Sequence, residues 1–444
     1  MWCCGAAICV PWPIPARCWP NFVPGCGRVG PGKGSCGKNL NVCFPCGKNW
    51  LKEKPLRVKL GLETFLAGAK RYAGRRAAFL THQAAVDHRG RSTLARVRQA
   101  LPQLVRAVWS PQHGFYGDRQ ANMIASEDFA DPLSGLPVFS LYGEKREPTP
   151  EMFAGIDLIL VDLVDVGCRV YTYIWSLYLV LKAAAAAGVE VVVFDRPNPL
   201  GGERREGNLQ RLDHCSFVGL YPLPMRHGLT LGELALYFKT QAGFDGALTI
   251  AGMEGWRRRF YFPRTKLFWV LPSPNMPSPA TALVYPGQVL LEGTNLSEGR
   301  GTTLPFELCG APYVDPRRLL AEIDKKAAAG LFLRPTWFTP TFDKWRGRLC
   351  GGLQLHVVET QKFTPYYFTL SLLQAVIRLY PEEFSWLKPP YEYEYEKAPI
   401  DILTGDPEIR RTLENDGDLE ALRASWEPEL KHFSDLGDDI ILSV

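Results

Sequence analysis

From Val58 onward the chain alternates short apolar runs with segments of helical spacing. Residues 61–73 read as a helix, and the apolar run 76–80 follows, ending in Thr81-His82-Gln83. Ser92-Thr93-Leu94 opens a basic helix that reaches Gln99, and residues 104–109 read as the next strand, ending in Ser110-Pro-Gln-His-Gly114. The unit recurs at 156–162 and 189–194, on either side of a long helix over 171–187 with an alanine-rich end. Strands apolar throughout their length, alternating with helices, imply a parallel sheet covered on both faces.

After about residue 215 the texture changes. A proline-rich loop at 220–228 precedes a helix at 230–240 in which Thr230 and Glu233 have capping-box spacing, and a strand at 247–251 follows. Residues 352–358 alternate like a half-buried strand, and 367–379 read as a helix. The expected class is therefore α/β: a Rossmann-like parallel-sheet domain over 55–215, then a second, smaller α/β domain over 216–444.

Ligands of parallel sheets sit at the carboxyl ends of the strands. That rule selects His82, Gln112 with His113, Asp165 with Arg169, and Asp195 with Arg196 and Asn198, all of which follow expected strands. Each has a local alternative. His113 and His227 both precede glycine and suit hydrogen bonding within a loop, while Asp165 and Asp195 suit helix caps.

The segment 291–303, LEGTNLSEGRGTT, adds Glu292, Asn295, Glu298 and Arg300 among three glycines. Its composition suits a polar ligand approached closely by backbone, although a solvated Glu298–Arg300 pair is the plainer reading. Asn275 lies in Pro272-Ser-Pro-Asn-Met-Pro277, where prolines that fix φ also suit a rigid linker.

Composition narrows the chemistry. The chain of 444 residues carries a net charge of +5, and residues 1–54 supply +6 of it, which leaves the body near −1 and without a nucleic-acid footprint. Eight of the twelve cysteines also precede residue 47. A disulfide or metal module, a secretory signal and a structureless Pro/Gly-rich extension are the readings of this leader. The third is expected, because zinc-finger pairing is not evident and Pro11, Pro13 and Pro15 break the one apolar run. No apolar stretch is long enough to span a membrane, and with no credible export signal a cytoplasmic role is expected over secretion. The body has no dinucleotide or P-loop glycine fingerprint, HExxH, GxSxG or paired CxxC, so no metal and no organic cofactor is expected. Carboxylates, amides, histidines and tyrosines without a metal signature suit acid and base work on a hydroxylated ligand such as a sugar.

Eight ordered motifs carry a family resemblance. They are Ser110-Pro-Gln-His-Gly-Phe-Tyr-Gly117, Gly135-Leu-Pro-Val-Phe-Ser-Leu-Tyr-Gly143, Asp165-Val-Gly, Tyr171-Thr-Tyr173, Asp195-Arg-Pro-Asn-Pro-Leu-Gly-Gly202, Ser216-Phe-Val-Gly-Leu-Tyr-Pro-Leu-Pro224, Pro272-Ser-Pro-Asn-Met-Pro277 and 292–303. Together they resemble the bacterial exo-β-N-acetylmuramidases from about Val58 to the carboxyl terminus. The resemblance implies release of N-acetylmuramic acid from the non-reducing end of peptidoglycan fragments, in cell-wall turnover and recycling, at a cleft between the two domains. A peptidoglycan-derived saccharide is then the partner, with no nucleic acid and no membrane insertion.

One departure stands out. The family has glutamate where this chain has Gln112, and an amide neither donates nor takes a proton at neutral pH, a loss of typically about 10²- to 10⁴-fold. Glu127 on the following loop is one replacement; Glu292 or Glu298 as the acid, partnered by Asp165 or Asp195, is another; assistance from the sugar's own acetamido group is a third. A non-catalytic muropeptide-binding protein, or a relative of altered substrate, is the alternative. For recognition, the lactyl carboxylate calls for an arginine, with Arg300 and Arg196 ahead of Arg169. Tyr171 and Tyr173 suit a sugar face, and Asn275 and Asn295 the acetamido and hydroxyl groups.

Overall fold

The computed structural model describes residues 57–120, 123–438 and 440–442, so the cysteine-rich leader lies outside the described residues. Twelve strands are assigned: β1 (Ala77–Thr81), β2 (Val105–Ser110), β3 (Phe129–Ala130), β4 (Pro137–Ser140), β5 (Leu158–Asp162), β6 (Glu190–Phe194), β7 (Glu206–Leu209), β8 (Pro224–Arg226), β9 (Leu248–Ala251), β10 (Leu308–Ala311), β11 (Leu331–Phe338) and β12 (Cys350–Val357).

Seven of them form one sheet in the order β3-β4-β2-β1-β5-β6-β9, parallel except for the short edge strand β3. Leaving out β3, the winding is that of a dinucleotide-binding fold, with the reversal of order between β1 and β5. β1 and β5 are buried at every position, as expected for strands covered on both sides. Alternate residues feed opposite cores: Phe79, Leu160 and Phe194 meet Leu62, Phe65 and Val97, while Leu80, Val161 and Val193 join the core of Leu177, Val180, Leu234 and Phe238.

The helices Thr93–Ala100 and Tyr173–Ala187 stand where the periodicity puts them. Leu231–Gln241 carries the expected capping box, in which Thr230 and Glu233 each satisfy the other's backbone N–H. Beyond that helix lies a finding that the texture of the chain conceals. β9 pairs with β6 and completes the large sheet, so the change of composition near residue 215 marks an excursion through the β7–β8 ribbon before the winding ends. The later residues form the antiparallel sheet β10-β12-β11 and the helices Pro279–Gln288 and Pro365–Leu379, which pack on one another.

Candidate active site

β2 ends at Ser110 and delivers Gln112 and His113 into a narrow inner recess, together with Tyr171 and Thr172 from the segment after β5. Ser273, Asn275, Tyr285, Glu292, Arg300, Tyr391 and Glu392 are also in its wall. A wider recess of about 350 Å³ shares Glu292, Arg300 and Tyr391 with it and adds Glu298, Phe342 and Lys344.

Gln112 is 4 % exposed and every polar atom of its amide is engaged. The Thr172 hydroxyl donates to its carbonyl oxygen, and its nitrogen donates to Tyr142 Oη at 2.9 Å and to Glu392 Oε1 at 3.2 Å. Tyr142 in turn donates to Glu392 Oε2 at 2.9 Å. Burial raises the Glu392 carboxyl to about 7, with Glu292 adding to the rise while hydrogen bonds from Tyr142 and Gln112 and the charge of Arg300 oppose it.

Glu392 and Tyr393 both have positive φ, +46° and +65°, and Tyr391 and Glu394 exchange two 2.9 Å backbone hydrogen bonds across them. This is the φ pattern of a two-residue type I′ hairpin, a turn that ordinarily takes Asn-Gly. A glutamate and a tyrosine in that conformation store backbone strain, and the turn puts the Glu392 carboxyl into the recess wall.

In the same wall Arg300 contacts Glu292 at 2.5 Å and Glu298 at 3.1 Å, and Lys344 contacts the other Glu298 oxygen at 2.7 Å. Tyr391 donates to Glu292 at 2.7 Å. Burial opposes the charge of Arg300, but the two carboxylates outweigh it and raise its pKa. His113 is held at 2.7 Å from the Arg119 carbonyl; burial, opposed by that bond and reinforced by Arg300, lowers it to about 4, so it is neutral near pH 7.

The glycines of 291–303 serve packing between protein segments rather than ligand approach. A Cβ on Gly301 would stand 2.6 Å from Phe342 O, one on Gly299 2.9 Å from Leu304 O, and one on Gly293 2.9 Å from Ile400 Cα.

Several residues selected from the sequence lie elsewhere. Arg169 is fully buried and donates to four carbonyls, those of Asn208, Leu223, Leu403 and Thr404. Arg196 pairs with Asp162 and bonds Val86 and Thr93. Asp195 accepts from the Gly232 N–H at 2.8 Å and so caps the next helix; burial raises its carboxyl to about 7. Asp165 accepts from Gly167 and His227, and the Leu229 N–H at His227 Nδ1 places the proton of that imidazole on Nε2. Asn198 and Asn295 bond backbone or Tyr313, the Tyr173 hydroxyl bonds the Pro272 carbonyl, and Glu127 is exposed. His82 accepts from Val164 N–H and, buried near Arg196, falls to about 3. None of these lines either recess. The strand-end rule identifies the rim but not the direction of each side chain. Conversely Tyr142, Thr172, Lys344, Tyr391 and Glu392 carried no signal strong enough to select them, although Tyr142 and Thr172 sit inside quoted motifs.

A Rossmann-type sheet whose strand ends share a recess with two buried carboxyl groups, Glu292 and Glu392, is the frame of an α/β protein suited to acid–base chemistry on a polar ligand. The chain belongs to the exo-β-N-acetylmuramidase family of glycoside hydrolases. The model of the N-terminal part of exo-β-N-acetylmuramidase NamZ matches residues 77–280, and that of its C-terminal part residues 283–442. The peptidoglycan β-N-acetylmuramidase NamZ of Bacillus subtilis is 39 % identical over 391 residues, 88 % of this chain and 92 % of that one. A DUF1343 family protein of Bacteroides fragilis superposes with a TM-score of 0.78 at 31 % identity, over 87 % of this chain and 99 % of its own. A second from the same organism, 24 % identical with a TM-score of 0.67, shares the fold.

Proposed function

We propose that the inner recess binds the terminal N-acetylmuramic acid of peptidoglycan fragments and that Glu392 is the general acid for departure of the next sugar. The observation that carries this reading is the Glu392 carboxyl in the recess wall, raised to about 7 and therefore half protonated near neutral pH. A general acid works best when its pKa lies near the working pH. Gln112 cannot fill that role, and Glu298, bracketed by Arg300 and Lys344, is occupied in neutralising them.

Arg300 is the permanent cation among the described residues of the inner wall, His113 being neutral, and it is suited to the lactyl carboxylate of the sugar. Asn275 and Tyr171 face the same space and suit the acetamido group and the ring. The wider recess, continuous through Glu292, Arg300 and Tyr391, suits the leaving saccharide.

The test is release of N-acetylmuramic acid from its β-linked disaccharide with N-acetylglucosamine by the full chain and by Glu392→Gln. The expected result is turnover by the parent and a loss of about 10²- to 10⁴-fold in the variant, with much less loss on an aryl glycoside whose leaving group needs no proton. Tight binding of the disaccharide by the parent without turnover, or full activity in Glu392→Gln, would overturn the reading.

A further inference from the structure

The inner recess contains an amide where an acid would be the obvious group, and that amide makes three side-chain hydrogen bonds. We infer that Gln112 is the positioning residue of Glu392, a neutral donor that orients the acid and sets how firmly it holds its proton; this rests on Glu392 acting as the acid.

With Glu392 ionised, every hydrogen bond in the cluster takes one direction. Thr172 donates to Gln112 Oε1, and the amide nitrogen faces Tyr142 and Glu392. With the opposite orientation a carbonyl oxygen would face the carboxylate, two acceptors with no proton between them. Tyr142 Oη receives the Met123 N–H at 2.8 Å as well as the Gln112 amide, which occupies both of its lone pairs. Its single proton is thereby directed to Glu392 Oε2. Both oxygens of Glu392 therefore accept, one from Tyr142 and one from Gln112.

Two donors aimed at a carboxylate favour its charged form, while burial and Glu292 favour the protonated one. The charged and titratable groups around Glu392 are Tyr142, Glu292, Arg300, Tyr285, Tyr391 and Tyr393, with His113 and Tyr171 in the same recess wall; His113 is neutral near pH 7, and the tyrosine hydroxyls are all raised by burial and stay neutral across the working range. Gln112 is thus the adjustable member. Methionine at this position, similar in length, removes the donor and leaves the charge balance alone. Glutamate removes the donor and adds a second carboxyl at hydrogen-bond distance, so that the two share a proton.

The experiment is the pH profile of kcat/KM on the disaccharide for the full chain, Gln112→Met, Gln112→Glu and Thr172→Val, with Glu392→Gln beside them. The parent should lose activity as Glu392 deprotonates above pH about 7. That limb should move upward by about one unit in Gln112→Met and further in Gln112→Glu, with a smaller shift in Thr172→Val, where the amide is free to turn. A merely structural role would lower the height of the profile and leave the limb in place. An unmoved limb in Gln112→Met and Gln112→Glu, with Glu392→Gln inactive, overturns the positioning role and leaves the acid assignment standing. Full activity in Glu392→Gln overturns both.

Discussion

Two buried arginines show how little the residue type alone decides. Arg169 is enclosed by four backbone carbonyls drawn from β7, the segment before β8 and the helix end at Leu403–Thr404, and it ties three separate chain segments together. Arg300 lies between two carboxylates in the wall of a recess. A lysine at either position keeps the charge but loses the planar fork. Arg169→Lys is expected to destabilise the protein by about 2–4 kcal/mol, since carbonyls satisfied by the fork are left buried without donors. Arg300→Lys is expected to raise KM for a muramic acid glycoside about tenfold, with a smaller fall in Tm than Arg169→Lys. Thermal unfolding and steady-state kinetics on the same two variants separate the roles, and a KM unchanged in Arg300→Lys would remove the carboxylate contact.

At the scale of elements, the segment 291–303 and the hairpin at Glu392 divide what a sequence reveals from what it hides. The four central parallel strands and their helices were legible because each is a local pattern: β1, β2, β5 and β6 are short apolar runs, and the Thr230–Glu233 cap needs only four residues. The rim of the site was legible for the same reason, since it follows from the strand ends. Glu392 was not, for two physical reasons. Its partner Gln112 is 280 residues away, a distance that leaves no periodic trace, and its turn has the positive φ values of Asn-Gly without either residue. The segment 291–303 was legible in its chemistry and misleading in its glycines. Gly301, at φ +77°, abuts the backbone of Phe342 two residues before Lys344, so it positions the lysine that pairs with Glu298. Gly301→Ala is therefore expected to destabilise by about 1–3 kcal/mol and to lower kcat/KM along with stability. An alanine variant as stable and active as the parent would show that the backbone contact can relax.

At the scale of the whole molecule, the recess is built at the expense of stability, and pH measures by how much. The Glu392 carboxyl holds its proton to about 7 in the folded protein, against an ordinary value of 4.5. A raised folded pKa means that the stability associated with this group is fully present below the unfolded value and is lost as pH climbs through the folded one. The window is therefore about 4.5 to 7, and Asp195, raised from 3.8 to about 7, acts in the same sense. His82 and His113 act oppositely: lowered to about 3 and about 4, they contribute stability that is present above pH 6.5 and is lost on acidification. Glu206, which burial also raises, joins the acid set, so between pH 4.5 and 6.5 that set outweighs the two histidines and the parent's stability should fall from there to pH 8. Glu392→Gln removes one of the groups whose ionisation opposes folding. The variant should match the parent within about 1 kcal/mol at pH 4.5 and exceed it by about 3 kcal/mol at pH 8, while losing activity at both. Urea unfolding of the two proteins at those two pH values is the measurement. A gain of equal size at both would trace it to packing or hydrogen bonding rather than to proton release, and no gain at pH 8 would mean that the folded carboxyl ionises without penalty.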